Sequence, residues 1–153
     1  MAEPIFKPSD AEFEQRVRAS FARQKAMATI GATLVSVGAG TAVIEMPYSE
    51  SLTQQHGFLH AGMLAAALDS ACGYAASSLM PAEAGILTIE YKINLLAPGK
   101  GQRFRMEGQV IKPGRTITLV EGRAYAIDEG REKLIATMTA TEMTIIGREG
   151  VLH

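Results

Sequence analysis

One carboxylate, Asp69, interrupts an otherwise small and apolar run, Ala61-Gly62-Met63-Leu64-Ala65-Ala66-Ala67-Leu68-Asp69-Ser70-Ala71-Cys72-Gly73. Aspartate is a weak helix former, and burying its charge without a partner costs several kcal/mol. Two readings account for it. Asp69 either lies at a subunit seam, solvated or hydrogen-bonded to a neighbouring chain, or it is a functional carboxylate, desolvated enough that its pKa rises and it becomes a better general base. The preceding stretch, Gln54-Gln55-His56-Gly57-Phe58-Leu59-His60, carries a polar loop into the start of the same run. A helix start offers free N–H groups and the positive end of the dipole, which favour a developing oxyanion. The amides of Ala61 and Gly62 are the candidates, with small side chains that let a carbonyl approach. His60 at that positive end favours its neutral form and suits either a loop-orienting or a purely structural role. His56 and His60 do not make a zinc site: Gly57 stands where H-E-x-x-H needs Glu, and no third ligand follows. Ser70 and Ser77 lack the G-x-S-x-G elbow of an activated serine.

Ala61 and Asp69 are eight positions apart on one helix, about 12 Å at the helical rise, too far for both to touch one reacting group. If both act on it, they come from different chains. The functional reading of Asp69 therefore carries a homodimer with it.

The elements that must hold these groups follow from periodicity and turn residues. Ser9 and Glu12 have capping-box spacing, and Phe13, Val17 and Phe21 repeat every four residues, which predicts an amphipathic helix over 10–27. Thr29–Val37 and Thr41–Pro47 read as strands joined by a turn at Gly38-Ala39-Gly40, and 48–58 as a polar loop. The segment His60–Met80, free of proline and apolar around almost its whole circumference, predicts a buried helix. Ile86–Leu95, Gln102–Ile111, Thr116–Ile127 and Leu134–Ile146 then read as four strands, divided by Ala97-Pro98-Gly99, Lys112-Pro113-Gly114 and Asp128-Glu129-Gly130. Strict alternation along Leu87, Ile89, Tyr91, Ile93 and Leu95 would turn Thr88 to the opposite face. The expected fold class is α+β, an antiparallel sheet curled around a long central helix. The expected division is a leader and amphipathic helix over 1–27, one domain over 28–147 and a C-terminal tail over 148–153.

Composition narrows the function classes. The chain of 153 residues has the length of one domain and enough apolar side chains for one core. Fifteen basic against sixteen acidic side chains give no surface suited to a nucleic-acid backbone. The single cysteine, Cys72, fits a reducing compartment, and no window approaches the ~18 apolar residues of a membrane span. A cytoplasmic protein with neither nucleic acid nor membrane as partner is expected.

Gln54 through Asp69, followed by Leu87-Thr88-Ile89-Glu90-Tyr91-Lys92-Ile93-Asn94-Leu95-Leu96-Ala97-Pro98, resembles the PaaI-type hotdog-fold acyl-CoA thioesterases. In that family an Asn or Gln opens the loop, His-Gly-Gly starts the central helix and an Asp or Glu follows. Gln54, His60-Ala61-Gly62 and Asp69 stand at the matching positions, with Ala61 replacing the first glycine of the pair. The likeness extends over about residues 28–146. It implies that Asp69 activates water or attacks the thioester carbonyl, that the Ala61 amide polarises that carbonyl, and that Gln54 positions the nucleophile or thioester. Thr88 stands where some relatives carry a Ser or Thr that orients water. No cofactor is implied beyond the CoA of the substrate, whose phosphates would meet Arg115 first, then Lys112, with Gly114 letting the pantetheine run close; Lys100 and Arg103 are weaker candidates. Met63, Leu64, Tyr74, Leu79 and Met80 either line an acyl tunnel or fill the core. The resemblance also implies a dimer at minimum, joined through Ile86–Leu95, with dimers pairing into a tetramer. Two other readings are a non-catalytic acyl-CoA-binding hotdog protein and a hotdog dehydratase; the latter lacks its histidine, since Tyr74 stands where one would be sought.

Overall fold

A computed structural model describes residues 6–152. Two short helices, α1 (Phe13–Arg23) and α2 (Lys25–Thr29), lead into strands β1 (Thr33–Gly38) and β2 (Thr41–Pro47). A 3-10 turn at Glu50–Leu52 precedes the long helix α3 (Ala61–Ser77). Four strands follow, β3 (Gly85–Leu95), β4 (Arg103–Lys112), β5 (Ile117–Asp128) and β6 (Arg131–Ile145). All pair antiparallel in one six-stranded sheet of order β1-β2-β4-β5-β6-β3, wrapped around α3. This is the α+β hotdog architecture.

The helix is held by small residues and by alternation in the sheet. Ala67, Leu68, Ala71, Cys72, Ala75 and Ala76 are buried on α3 and pack against the inner row of the strands, including Met106, Val120, Ala124 and Met138. β4 approaches α3 so closely that a Cβ on Gly108 would sit 2.3 Å from the Ala71 carbonyl oxygen. Small residues thus let backbone meet backbone, and the helix needs no polar face.

Three expectations need correction. The helix expected over 10–27 is two helices, broken at Gln24, which is extended (φ −80°, ψ 97°). There the Gln24 side-chain amide donates to the Tyr74 hydroxyl (3.2 Å) and accepts from Ser70 Oγ (2.9 Å), so tertiary bonds offset the lost helical continuity. The Ser9–Glu12 box does not form: Ser9 Oγ donates to the Leu79 carbonyl, and Asp10 Oδ1 instead accepts from the Glu12 N–H. The first strand begins at Thr33, not Thr29, because Gly31 (φ +72°) closes α2 and the Ala32 N–H donates back to Met27 O.

The later strands fall within a few residues of their expected spans, and His60–Met80 resolves into α3 plus a closing turn. Residues 1–5 of the expected leader and helix segment, and the last tail residue, 153, lie outside the described residues. Residues 148–152 fold back on the domain: Val151 packs so tightly on β3 that a Cβ at Gly85 would lie 2.5 Å from its carbonyl oxygen. Among the described residues no helix is long and apolar enough to cross a membrane.

Candidate active site

Asp69 projects from the middle of α3 toward β3, where the Thr88 hydroxyl donates to its Oδ1 at 2.9 Å. Strict alternation places Thr88 on the face away from Tyr91, Ile93 and Leu95, and the structure overturns this. A β-bulge lies between Thr88 and Glu90, so Thr88 pairs with Glu142 while Tyr91 pairs with Ala140 and Ile93 with Met138. The extra residue, Ile89, changes the phase of the strand, and Thr88, Tyr91, Ile93 and Leu95 all face the helix side.

The register that turns Thr88 inward also exposes a residue that the sequence reading missed. Glu142 on β6 is fully buried, and its Oε2 lies 3.1 Å from Thr88 Oγ1, the same hydroxyl that meets Asp69. Its Oε1, like the neighbouring Thr144 Oγ1, has no hydrogen-bond partner among the described residues. Burial, then the charge of Asp69, pushes the Glu142 carboxyl up to about 7, against the opposing bond from Thr88. Burial also raises Asp69 above the usual carboxylate range, again opposed by Thr88. The signal was available: along β6, Glu142 falls in phase with the buried Ala136, Met138 and Ala140. Asp69, Thr88 and Glu142 line a cavity of about 370 Å³, together with Ser70, Tyr74 and Leu152 of the returning tail.

The amide end of the helix is built separately. His60 is the N-cap (φ −63°, ψ 133°), and its Nδ1 accepts from the Gly62 N–H at 2.8 Å. That bond occupies the Gly62 amide and places any hydrogen of a neutral His60 ring on Nε2. A Cβ at Gly62 would sit 3.0 Å from His60 Nδ1, which accounts for the glycine. Ala61 is exposed, and as the first helical residue its N–H has no intrahelical acceptor. Gln54 Oε1 accepts from the His56 N–H (2.6 Å) and the Phe58 N–H (3.3 Å), so its carbonyl shapes the loop and its NH₂ is the group it can offer a ligand. Gln54, His56, Ala61, Leu64, Leu95 and Pro98 line a second cavity, which shares no residue with that of Asp69.

Lys112 ends β4, Gly114 and Arg115 lie in the β4–β5 turn, and none of the three lines either cavity. The turn stands at the Asp69 end of the sheet, since the Thr144 N–H donates to Thr116 O and Thr118 pairs with Glu142. The Gly114 N–H donates to Thr118 Oγ1, while Lys112 and Arg115 are exposed and form no ion pair among the described residues. Arg103, by contrast, is held by Glu45. Of the residues considered for an acyl tunnel, Leu64 and Tyr74 line cavities; Met80 is buried in the core, and Met63 and Leu79 pack against it.

Comparison with known proteins places this arrangement. A profile of the thioesterase superfamily matches residues 56–133, which carry α3 with Ala61 and Asp69, and Thr88. The chain belongs to the thioesterase superfamily. A solved thioesterase family protein from Silicibacter pomeroyi is 56% identical, with a TM-score of 0.86 over 87% of this chain and 98% of that one. The Escherichia coli PaaI protein of the phenylacetic acid degradation operon shares the fold at 20% identity, with a TM-score of 0.77 over 91% of this chain and 95% of that one. Among curated proteins, a candidate esterase of Saccharolobus solfataricus is 33% identical across 73% of this chain and 72% of its own length. Another from the same organism is 38% identical across 58% of this chain, which spans 62% of that relative. The fold is that of the PaaI-type hotdog thioesterases.

Proposed function

We propose that this member of the superfamily hydrolyses acyl-CoA thioesters to free acid and CoA, at a site shared by two chains. The observation that carries the reading is the half-buried Asp69 carboxylate, raised in pKa, oriented by the Thr88 hydroxyl and open to a cavity. Such a group suits proton abstraction from water or direct attack on an activated carbonyl. The exposed Ala61 N–H supplies a donor for the oxyanion, Gln54 lines the same cavity with an NH₂ to offer, and His60 caps the helix at that end. Similarity to thioesterases supplies the reaction class, and the free cations of Arg115 and Lys112 suit the phosphates of CoA. No step in this scheme uses a cofactor.

The two separate cavities support a dimer. β3 closes one end of the sheet, so one of its edges is unpaired, yet Leu87, Ile89, Tyr91 and Leu95 are 44–54% exposed there. Antiparallel pairing of β3 with its twin about Tyr91 brings the Ile86–Leu87 end of one chain alongside the Leu95 end of the other. Leu87 lines the Asp69 cavity and Leu95 the Ala61 cavity, so that pairing unites the two halves of the site twice. Further association of dimers into a tetramer and a cytoplasmic location belong to the same proposal, the latter supported by the lone buried thiol of Cys72.

The test is steady-state release of CoA thiol from short, medium, long and aryl acyl-CoAs by wild type, Asp69→Asn and Asp69→Ala. Turnover of at least one class, lost in kcat by both variants with KM little changed, supports the reading. Binding of acyl-CoA without turnover by wild type would sink it in favour of a non-catalytic acyl-CoA-binding protein.

A further inference from the structure

The reaction proposed above gives Glu142 nothing to do, although it is the most deeply buried carboxylate at the site. It is 0% exposed, with one oxygen on Thr88 and the other without a hydrogen-bond partner among the described residues. Asp69 Oδ1, Thr88 Oγ1 and Glu142 Oε2 form a row of three oxygens with gaps of 2.9 and 3.1 Å. Each gap needs a hydrogen, and the Thr88 hydroxyl carries one. The second must reside on a carboxyl group.

The surroundings decide which one. α3 presents Asp69 and Cys72, whose thiol is itself pushed up, first by burial and then by the charges of Glu142, Asp69 and Glu121. β3 presents Thr88, and Thr118 of β5 and Thr144 of β6 are buried close by; the cavity lining adds the neutral polar groups of Ser20, Gln24, Ser70 and Tyr74 and the tail residues Gly150–Leu152. No Lys, Arg or His lines this cavity among the described residues. With no cation to compensate it, a charge is least stable where burial is deepest, at Glu142, and more stable at the half-buried Asp69.

We propose that Glu142 is the positioning acid of the site: as the neutral carboxylic acid it donates to Thr88 Oγ1, which commits the Thr88 hydrogen to Asp69 and keeps Asp69 as the anion. Glu142 touches neither substrate nor water in the reaction; it acts through Thr88. The two carboxyls titrate as a coupled pair, and the singly ionised form is the competent one. Release of the second proton leaves two anions sharing one hydroxyl hydrogen. The inference takes from the proposed function the role of Asp69 as the reactive group, but the proton arrangement itself is testable without any turnover.

Carboxyl ¹³C NMR titration of the unliganded protein reads it directly, in wild type and in Glu142→Gln. The expected wild-type result is one glutamate carboxyl titrating near the raised value of about 7, with the Asp69 signal moving in the same step. In Glu142→Gln that step vanishes and Asp69 titrates once. A wild-type spectrum in which no carboxyl titrates above the ordinary range, or an Asp69 curve identical in both proteins, overturns the proposal whether or not acyl-CoA is hydrolysed. Kinetics give the second readout. Glu142→Gln retains an N–H donor for Thr88, so it keeps kcat within about threefold and loses the decline on the alkaline side; Glu142→Leu, without a donor, loses about tenfold or more in kcat at similar KM. Equal losses in the two variants, or an alkaline decline that survives in Glu142→Gln, also overturn it.

Discussion

Ala61 and Asp69, eight residues apart on α3, open into two cavities that have no residue in common. If they serve one reaction, each active site draws Asp69 from one chain and the Ala61 amide from the other. Ala61→Pro removes that N–H at a position where proline fits, the first helical residue after an extended His60. Mixing Asp69→Ala with Ala61→Pro chains by unfolding and refolding should restore about one quarter of wild-type activity, since half the dimers then contain one intact site. Pure preparations of each should be nearly inactive. Absence of any recovery in the mixture, with mixed dimers shown by native mass spectrometry, would put the whole site within one chain.

The Thr88 hydroxyl is predicted to matter as a donor, not as β-branched bulk. A hydrogen bond to a charged group contributes about 1.5–3 kcal/mol, so Thr88→Val should lower kcat roughly tenfold to a hundredfold. Thr88→Ser should stay near wild type. Equal activity in Thr88→Val would reduce Thr88 to a packing residue.

Stability should fall as pH rises through the range of Glu142. Its carboxyl stands at about 7 in the folded chain against an ordinary value of 4.5. Between those values the native state holds a proton that the unfolded chain has released. The stabilising contribution is therefore complete below about pH 4.5 and lost once pH passes about 7, on the order of 3 kcal/mol in all. Asp69, also raised, adds in the same direction. Urea midpoints measured across this window should decline for wild type and flatten in Glu142→Gln.

The contact of β4 with α3 sets a limit on side-chain size. Gly108→Ala would drive a methyl into the Ala71 carbonyl at 2.3 Å, and overpacking of this kind costs roughly 1–3 kcal/mol or more. Thermal unfolding should show the loss, whereas Gly130→Ser, in a turn where a Cβ meets no atom within 4 Å, should cost only its backbone strain.

Arg115 is predicted to hold a CoA phosphate. Arg115→Ala should raise KM for acyl-CoA several-fold with little change in kcat, more at low salt than at high, and leave hydrolysis of acyl-pantetheine unaffected. A kcat loss on both substrates would place Arg115 in the fold or the chemistry instead.

Much of this was legible in the sequence because the relevant signals are local. Turn residues between β-rich runs marked out the four strands of the second half, though a simple meander would set β3 beside β4 and the structure pairs it with β6, and a charge amid alanines on a helix apolar all round singled out Asp69. What failed depended on distant partners. Gln24 breaks α1 because Tyr74 and Ser70 wait for its amide, and Asp10, not Ser9, takes the Glu12 N–H in the turn before α1 while its other oxygen engages Arg16. The bulge at Ile89 shows only in pairing with β6, and without it Thr88 is assigned to the wrong face. Glu142 was overlooked because a lone glutamate among threonines resembles a solvated strand face until its phase with Met138 and Ala140 is counted.

That one inserted residue has a consequence for how β3 can vary. A bulge divides the strand into two segments whose tolerance patterns are out of step. Before Ile89 the even-numbered positions face inward, and after it the odd-numbered ones do. A substitution scan along β3 should therefore show a two-residue rhythm that skips a beat at Ile89. Deleting Ile89 would erase the skip, so that the strand could keep its apolar wall or the Thr88 hydroxyl in place, but not both.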